Sequence, residues 1–212
     1  MLTKNDLWDW FIDLSQIIFD THLAIDIIQR IKQPKNETEK KILSIGFFSL
    51  LHHQSRFVII IQLCKVFEDS NNQKRNFYKL FNRLRSDSYD KSLKSTLKDN
   101  EIKKQLLGSR KDIITAIQNL SAEIEPYKDL IEKVITSRDK LYAHSDPNFK
   151  VPFVTDDELE TVVKLATKIF NELHNGFFDY RFAFDKSQDW RIDEILAVLS
   201  QLKQEDIEKH KH

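Results

Sequence analysis

Three glycines and four prolines are all the turn-making residues of their kind in 212 positions, and that scarcity limits the fold more than any other feature. Sandwiches and doubly wound α/β folds reverse direction every few residues and draw on glycine and proline to do it. Long helices need few of either. With 41% hydrophobic residues and fifteen phenylalanines, the chain can bury a sizeable core without disulfides. The expectation is an all-α helical bundle of six or seven helices, in one domain over residues 1–209 with a polar tail at 210–212.

Lys plus Arg and Asp plus Glu both number 33, so the chain as a whole lacks the basic excess of a strong nucleic-acid binder. Its most basic neighbourhood runs from Arg83 and Arg85 through Lys91, Lys94, Lys98, Lys103 and Lys104. It reads as a solvated rim or as a phosphate-contacting edge. The single cysteine, Cys64, excludes an internal disulfide framework and favours a reducing compartment. The first residues lack the cationic lead and apolar run of a signal peptide. The apolar stretch from Ile42 to Ile61 is broken by His52, His53, Gln54 and Arg56, so no membrane span is expected. A cytoplasmic location follows as the expectation.

Helical periodicity recurs along the chain. Asn5 or Asp6 can cap a first helix that Gln33-Pro34 closes. A second starts near Asn36 and runs to Phe67, apolar enough to be the central helix. A shorter one carries Phe77, Leu80, Phe81 and Leu84. From about Arg110, Leu120, Ile124, Tyr127, Ile131, Val134 and Leu141 follow steps of three and four; Pro126 kinks this helix or opens a new one. Thr155 and Glu158 form a capping box for a helix that stops near Asn175-Gly176. F-F-D-Y-R-F-A-F, at 177–184, alternates like a strand but lacks a partner strand, so packing or an interface is expected. Asp189 to Leu202 supplies the last helix.

Familiar catalytic patterns are missing. There is no H-E-x-x-H, no glycine-rich phosphate loop and no Gly-x-Ser-x-Gly elbow. His52 and His53 diverge on a helix and cannot easily share an ion, and one cysteine cannot build a cysteine-rich zinc site. No metal and no cofactor is expected. His22 and His174 read as partly buried helix residues.

What remains is S-R-D-K-L-Y-A-H-S-D, residues 137–146, followed by Pro147. Arg138 falls on the apolar face of its helix and must be paired there or open onto a cleft. His144 lies where the helix should stop, and a helix C-terminus favours its cationic form. Six residues of ideal helix separate the two by about 9 Å of rise and roughly 120° of direction. Direct contact between their roots is therefore not expected, although a second subunit could bring two such pairs into one cleft. On chemistry alone the cluster could equally be a capping salt-bridge network.

R-D-K-L-Y-A-H-S-D resembles the signature of the HEPN superfamily, an arginine, a polar residue and then a histidine. Here five residues separate Arg138 from His144 and Asp139 fills the polar place. The Y-A-H-S-D ending, with L-C-K-V-F-E-D closing the earlier apolar helix, is similar to the abortive-infection, AbiU-like branch. The resemblance covers about residues 42–170 as a core, with the first and last helices flanking it. It implies a metal-independent endoribonuclease of phage-defence or toxin type, working as a homodimer on RNA. Arg138 would hold the scissile phosphate, His144 would move the proton, and Asp139 would position one of them. Tyr142, Ser145 and Asp146 become candidates for substrate contact. An antitoxin or regulatory protein is the implied partner. No tyrosine follows His144 closely, Phe149 being the next aromatic, so the likeness does not extend to toxins paired with a nucleotidyltransferase. A noncatalytic HEPN-like module binding RNA, nucleotide or protein is the alternative.

Overall fold

The computed structural model describes residues 3–69, 74–86, 109–139, 153–178, 180–184 and 192–209. Among them every regular element is helical: α1 (Lys4–Lys32), α2 (Glu37–Leu43), α3 (Gly46–Phe67), α4 (Phe77–Arg85), α5 (Arg110–Ile124), α6 (Lys128–Ser137), α7 (Asp156–Phe178) and α8 (Ile192–Lys209). Glu125–Tyr127 forms a 3₁₀ turn joining α5 to α6, so Pro126 kinks one rod rather than ending it. Counted that way, the rod and its neighbours make seven helices, the all-α bundle expected.

Local chemistry sets the boundaries. Thr3, not Asn5 or Asp6, caps α1: its hydroxyl accepts from the Asp6 amide at 3.0 Å, and the Asp6 carboxylate accepts from the Thr3 amide at 3.0 Å. Asp6 thus sits at the third helical position of a capping box. The expected helix from Asn36 to Phe67 is two helices. Ser44 turns its hydroxyl onto the Lys41 carbonyl at 2.7 Å and Ile45 is extended, so the chain bends before Gly46. Such local bonding by serine competes with the helical ladder. The Thr155–Glu158 capping box forms as read: each backbone amide donates to the other's side chain, at 2.7 and 3.2 Å. Its helix runs past Gly176 to Phe178, because Gly176 and Phe177 are buried in the core and packing holds them helical.

α1 lies along α3, both rest on α7, and α6 packs across α3 and α7. Phe11, Phe77, Phe81 and Phe170 are wholly enclosed, and each such side chain contributes about 1.5–3 kcal/mol on burial. α2, the start of α3 and α8 form a smaller cluster through Ile42, Leu43, Phe48 and Leu196.

The 180–184 stretch is tertiary packing, not a strand. Asn171 clamps it by accepting from the Phe182 amide at 2.8 Å and donating to the Phe182 carbonyl at 3.1 Å. His174 donates from Nδ1 to the Tyr180 carbonyl at 3.0 Å. Its ring lies between those of Phe11, Phe170, Phe178, Tyr180 and Phe182, with centroids 4.3 to 5.4 Å away. Burial lowers its pKa below the ordinary imidazole value, against the opposing effect of the Tyr180 bond. The unfolded chain therefore binds a proton at His174 before the folded chain does, and stability falls as pH falls through the unfolded value of about 6.5. Thermal melts from pH 7.5 to 5.0 should lose Tm progressively, and His174→Phe should flatten that slope. An equal slope in the variant would show that His174 does not contribute to it.

Candidate functional site

α3 ends where its side chains become useful. Phe67 is core, and at Glu68 the backbone turns extended while its amide still donates to the Cys64 carbonyl at 2.9 Å. The fully buried Asn76 then fixes this corner. Its side-chain nitrogen donates to the Glu68 carbonyl at 2.8 Å, and its oxygen caps α4 by accepting from the Lys79 amide at 2.8 Å. Glu68 is therefore held from both sides of the chain reversal.

α6 delivers the partner. Ile131, Val134 and Ser137 are buried, and Ser137 closes its own turn by donating to the Lys133 carbonyl at 2.9 Å. Arg138 follows and reaches the end of α3. Its Nη1 donates to Glu68 Oε2 and its Nη2 to Glu68 Oε1 at 3.2 Å. Nε and Nη2 also donate to Asp139 Oδ1, at 2.8 and 2.5 Å. All three guanidinium nitrogens are thus engaged, in the fork geometry that suits carboxylates and phosphates alike. The Glu68 bonds, more than the Asp139 bonds, raise the Arg138 pKa still further above its ordinary value, while burial opposes them. Side-chain exposure is 20% for Arg138, 21% for Glu68 and 45% for Asp139, so Asp139 is the partner that solvent can reach. Among the described residues, two carboxylates face one guanidinium, an excess of one negative charge.

Cys64 lies one turn before Glu68. Burial pushes its thiol up to about 12, outweighing the lowering effect of Arg138. It is a core thiol at neutral pH and no nucleophile.

A second network on α3 fixes the start of α7. Arg56 donates to Asp156 Oδ1 and to the Val154 carbonyl, and His52 Nε2 lies 3.0 Å from Asp156 Oδ2. The Arg56 guanidinium also sits 4.9 Å over the exposed Phe153 ring. Burial pushes the Asp156 carboxyl up, yet the bonds from His52 and Arg56 bring it below the ordinary carboxylate range. Arg138 and the start of α7 are therefore both bonded to α3, at Glu68 and at Arg56, about 18 Å apart along the helix at 1.5 Å per residue.

Of the residues named from sequence, Arg138 and Asp139 are brought together here. Tyr142, His144, Ser145 and Asp146 lie outside the described residues, as do Lys91 to Lys104. Arg85 is described and donates to Ser121 Oγ at 3.1 Å. Glu68 is the residue the sequence reading passed over. It is the first of the two acids that end L-C-K-V-F-E-D, directly after an apolar helix, and nothing local marks it as the partner of Arg138. Among the described residues, no group of three or more His, Cys, Asp or Glu is placed to hold a metal ion, and no helix is long and apolar enough to cross a membrane.

Residues 4–194 match the family model HEPN_AbiU2, described as AbiU2. The chain belongs to this HEPN family. The AbiU2 match begins with α1, so the first helix falls within the family pattern, and it extends into the first turn of α8. No curated protein and no solved structure matches the chain.

Among the described residues, removing Glu68 leaves the half-buried Arg138 with Asp139. Glu68→Ala should lower unfolding stability by about 1–2 kcal/mol, between the effects of an exposed and a buried ion pair. Denaturant titration reads this directly, and an unchanged midpoint would mean that the pair does not join α3 to α6.

Proposed function

We propose that this protein is a metal-independent endoribonuclease of phage-defence or toxin type. The observation that carries the reading is Arg138, presented by the last turn of α6 and gripped by Glu68, in an HEPN chain with His144 six residues on. In this scheme the 2′-hydroxyl of the substrate attacks the adjacent phosphorus and expels the 5′-oxygen. His144 accepts the hydroxyl proton or donates one to the leaving oxygen, work for which imidazole titrates in the right range. Arg138 holds the nonbridging oxygens and stabilises their growing charge. Dependence on the 2′-hydroxyl makes RNA the substrate.

The cluster's excess negative charge must be relieved before a phosphate can enter. Asp139, the more exposed carboxylate, is the one that gives way, while Glu68 keeps the guanidinium aimed. The self-paired Arg138 is also what favours the alternative, a noncatalytic HEPN-like module that binds RNA, nucleotide or a protein partner. A partner fits either reading, and we take it to be a second copy of the chain. Phe47, Leu50 and Val58 are exposed on α3 and fall within about 80° of one another at 100° per residue. Leu50 and Glu68 are about five full turns apart, so this apolar stripe runs toward the Arg138 site. Docking on it would set a symmetry mate beside that site.

Purified protein, in the presence of EDTA, should cut RNA to products ending in a 2′,3′-cyclic phosphate. His144→Ala should slow this by about 10²–10⁴-fold, the usual contribution of general acid–base catalysis. Leu50→Asp should give monomers in light scattering and lose the activity with the dimer. If wild type and His144→Ala cut equally, or neither cuts any of a varied set of RNAs, the catalytic assignment fails and the binding-module reading stands.

A further inference from the structure

A cavity of about 330 Å³ opens between the end of α3, α4 and α6. Phe67 and Asp69, the chain neighbours of Glu68, line one side of it, and Ile135, one turn before Arg138, lines another. The cavity therefore opens at the corner where α3 and α6 bring Glu68 and Arg138 together, although neither side chain lines it. Its size is at the lower end of the ~300–1,000 Å³ typical of small-molecule sites.

Its walls and its rim differ in chemistry. The half-buried Tyr78 ring gives a flat apolar face, with the buried Phe67 and Ile131 beside it, which suits a planar base because aromatic stacking tolerates any π-face. At the rim stand two carboxylates, Asp69 and Glu132, and one ammonium, Lys128. That ammonium already donates to Glu125 at 2.6 Å. A phosphate group would meet net repulsion here. A base edge bearing hydrogen-bond donors would not, since an ionised carboxylate only accepts.

We propose that this cavity is a subsite for a guanine base flanking the phosphate at Arg138. The inference rests on the ribonuclease reading for what it flanks, though not for the binding itself. Guanine alone among the four RNA bases presents two adjacent N–H donors on its Watson–Crick edge, which one carboxylate can accept together. Beside them O6 is an acceptor, and lysine is a suitable donor to it. Adenine and cytosine place an acceptor beside their single amino group. Uracil flanks its one N–H with carbonyls that the carboxylates would repel.

Calorimetric titration of the full chain with the 3′- and 5′-monophosphates of guanosine, adenosine, cytidine and uridine tests this. Guanosine monophosphate should bind about tenfold more tightly than the others, the low end of what a bidentate base contact gives. The combined Asp69→Asn and Glu132→Gln change should remove the preference while leaving the melting curve in place. Tyr78→Phe should keep binding, whereas Tyr78→Leu should weaken all four ligands. A short oligoribonucleotide with one guanosine should compete with the mononucleotide, and its guanosine-free counterpart should compete less. Equal affinities, no binding of any monophosphate, or a preference that survives the carboxylate changes would overturn the subsite. The ribonuclease reading can fail separately: guanine preference without RNA cleavage would leave the subsite standing, and cleavage without the preference would remove the subsite alone.

Discussion

The bidentate bond between Arg138 and Glu68 is the interaction on which the arrangement of this site depends. It joins two helix ends that the sequence separates by seventy positions, and it does so where the apolar ladder of each helix has just run out. Without it, a half-buried guanidinium at the end of α6 would keep, among the described residues, the adjacent carboxylate of Asp139. The pairing is local in energy but fixes direction: a planar fork held at two oxygens cannot rotate freely.

α3 organises what surrounds that bond. Its buried face fills the core against α1 and α7, and Arg56 on that face ties down the start of α7. Its C-terminal corner is locked by Asn76, which at the same time starts α4. The described residues on either side of the His144 segment are thus both bonded to α3. The cavity between α3, α4 and α6 lies at the same corner as Glu68.

The fold was legible because long helices announce themselves through period and through the want of turn residues. The capping box at Thr155 could be read directly, since it is a local exchange between residues three apart. The break at Ser44 could not, because an apolar stretch continues straight across it and only a serine bonding back to Lys41 marks the bend. The extension of α7 past Gly176 was hidden for the opposite reason: long-range burial overrides a residue that usually stops helices. At the site, Arg138 stood out as a cation on an apolar face that must be paired or open onto a cleft, and Glu68 pairs it. Glu68 as that partner required knowing that the ends of α3 and α6 meet, a tertiary fact with no local pattern to betray it.

The central claim is that the guanidinium of Arg138, aimed by Glu68, receives the phosphate. Nitrogen-detected NMR of the arginine Nε–H groups tests it most directly, with an oligoribonucleotide whose attacking 2′-hydroxyl is replaced by hydrogen. The account predicts that the Arg138 signal, assigned by its loss in Arg138→Lys, shifts in step with binding while its exchange with water slows. An Arg138 signal that stays put while the oligonucleotide saturates the protein would contradict it.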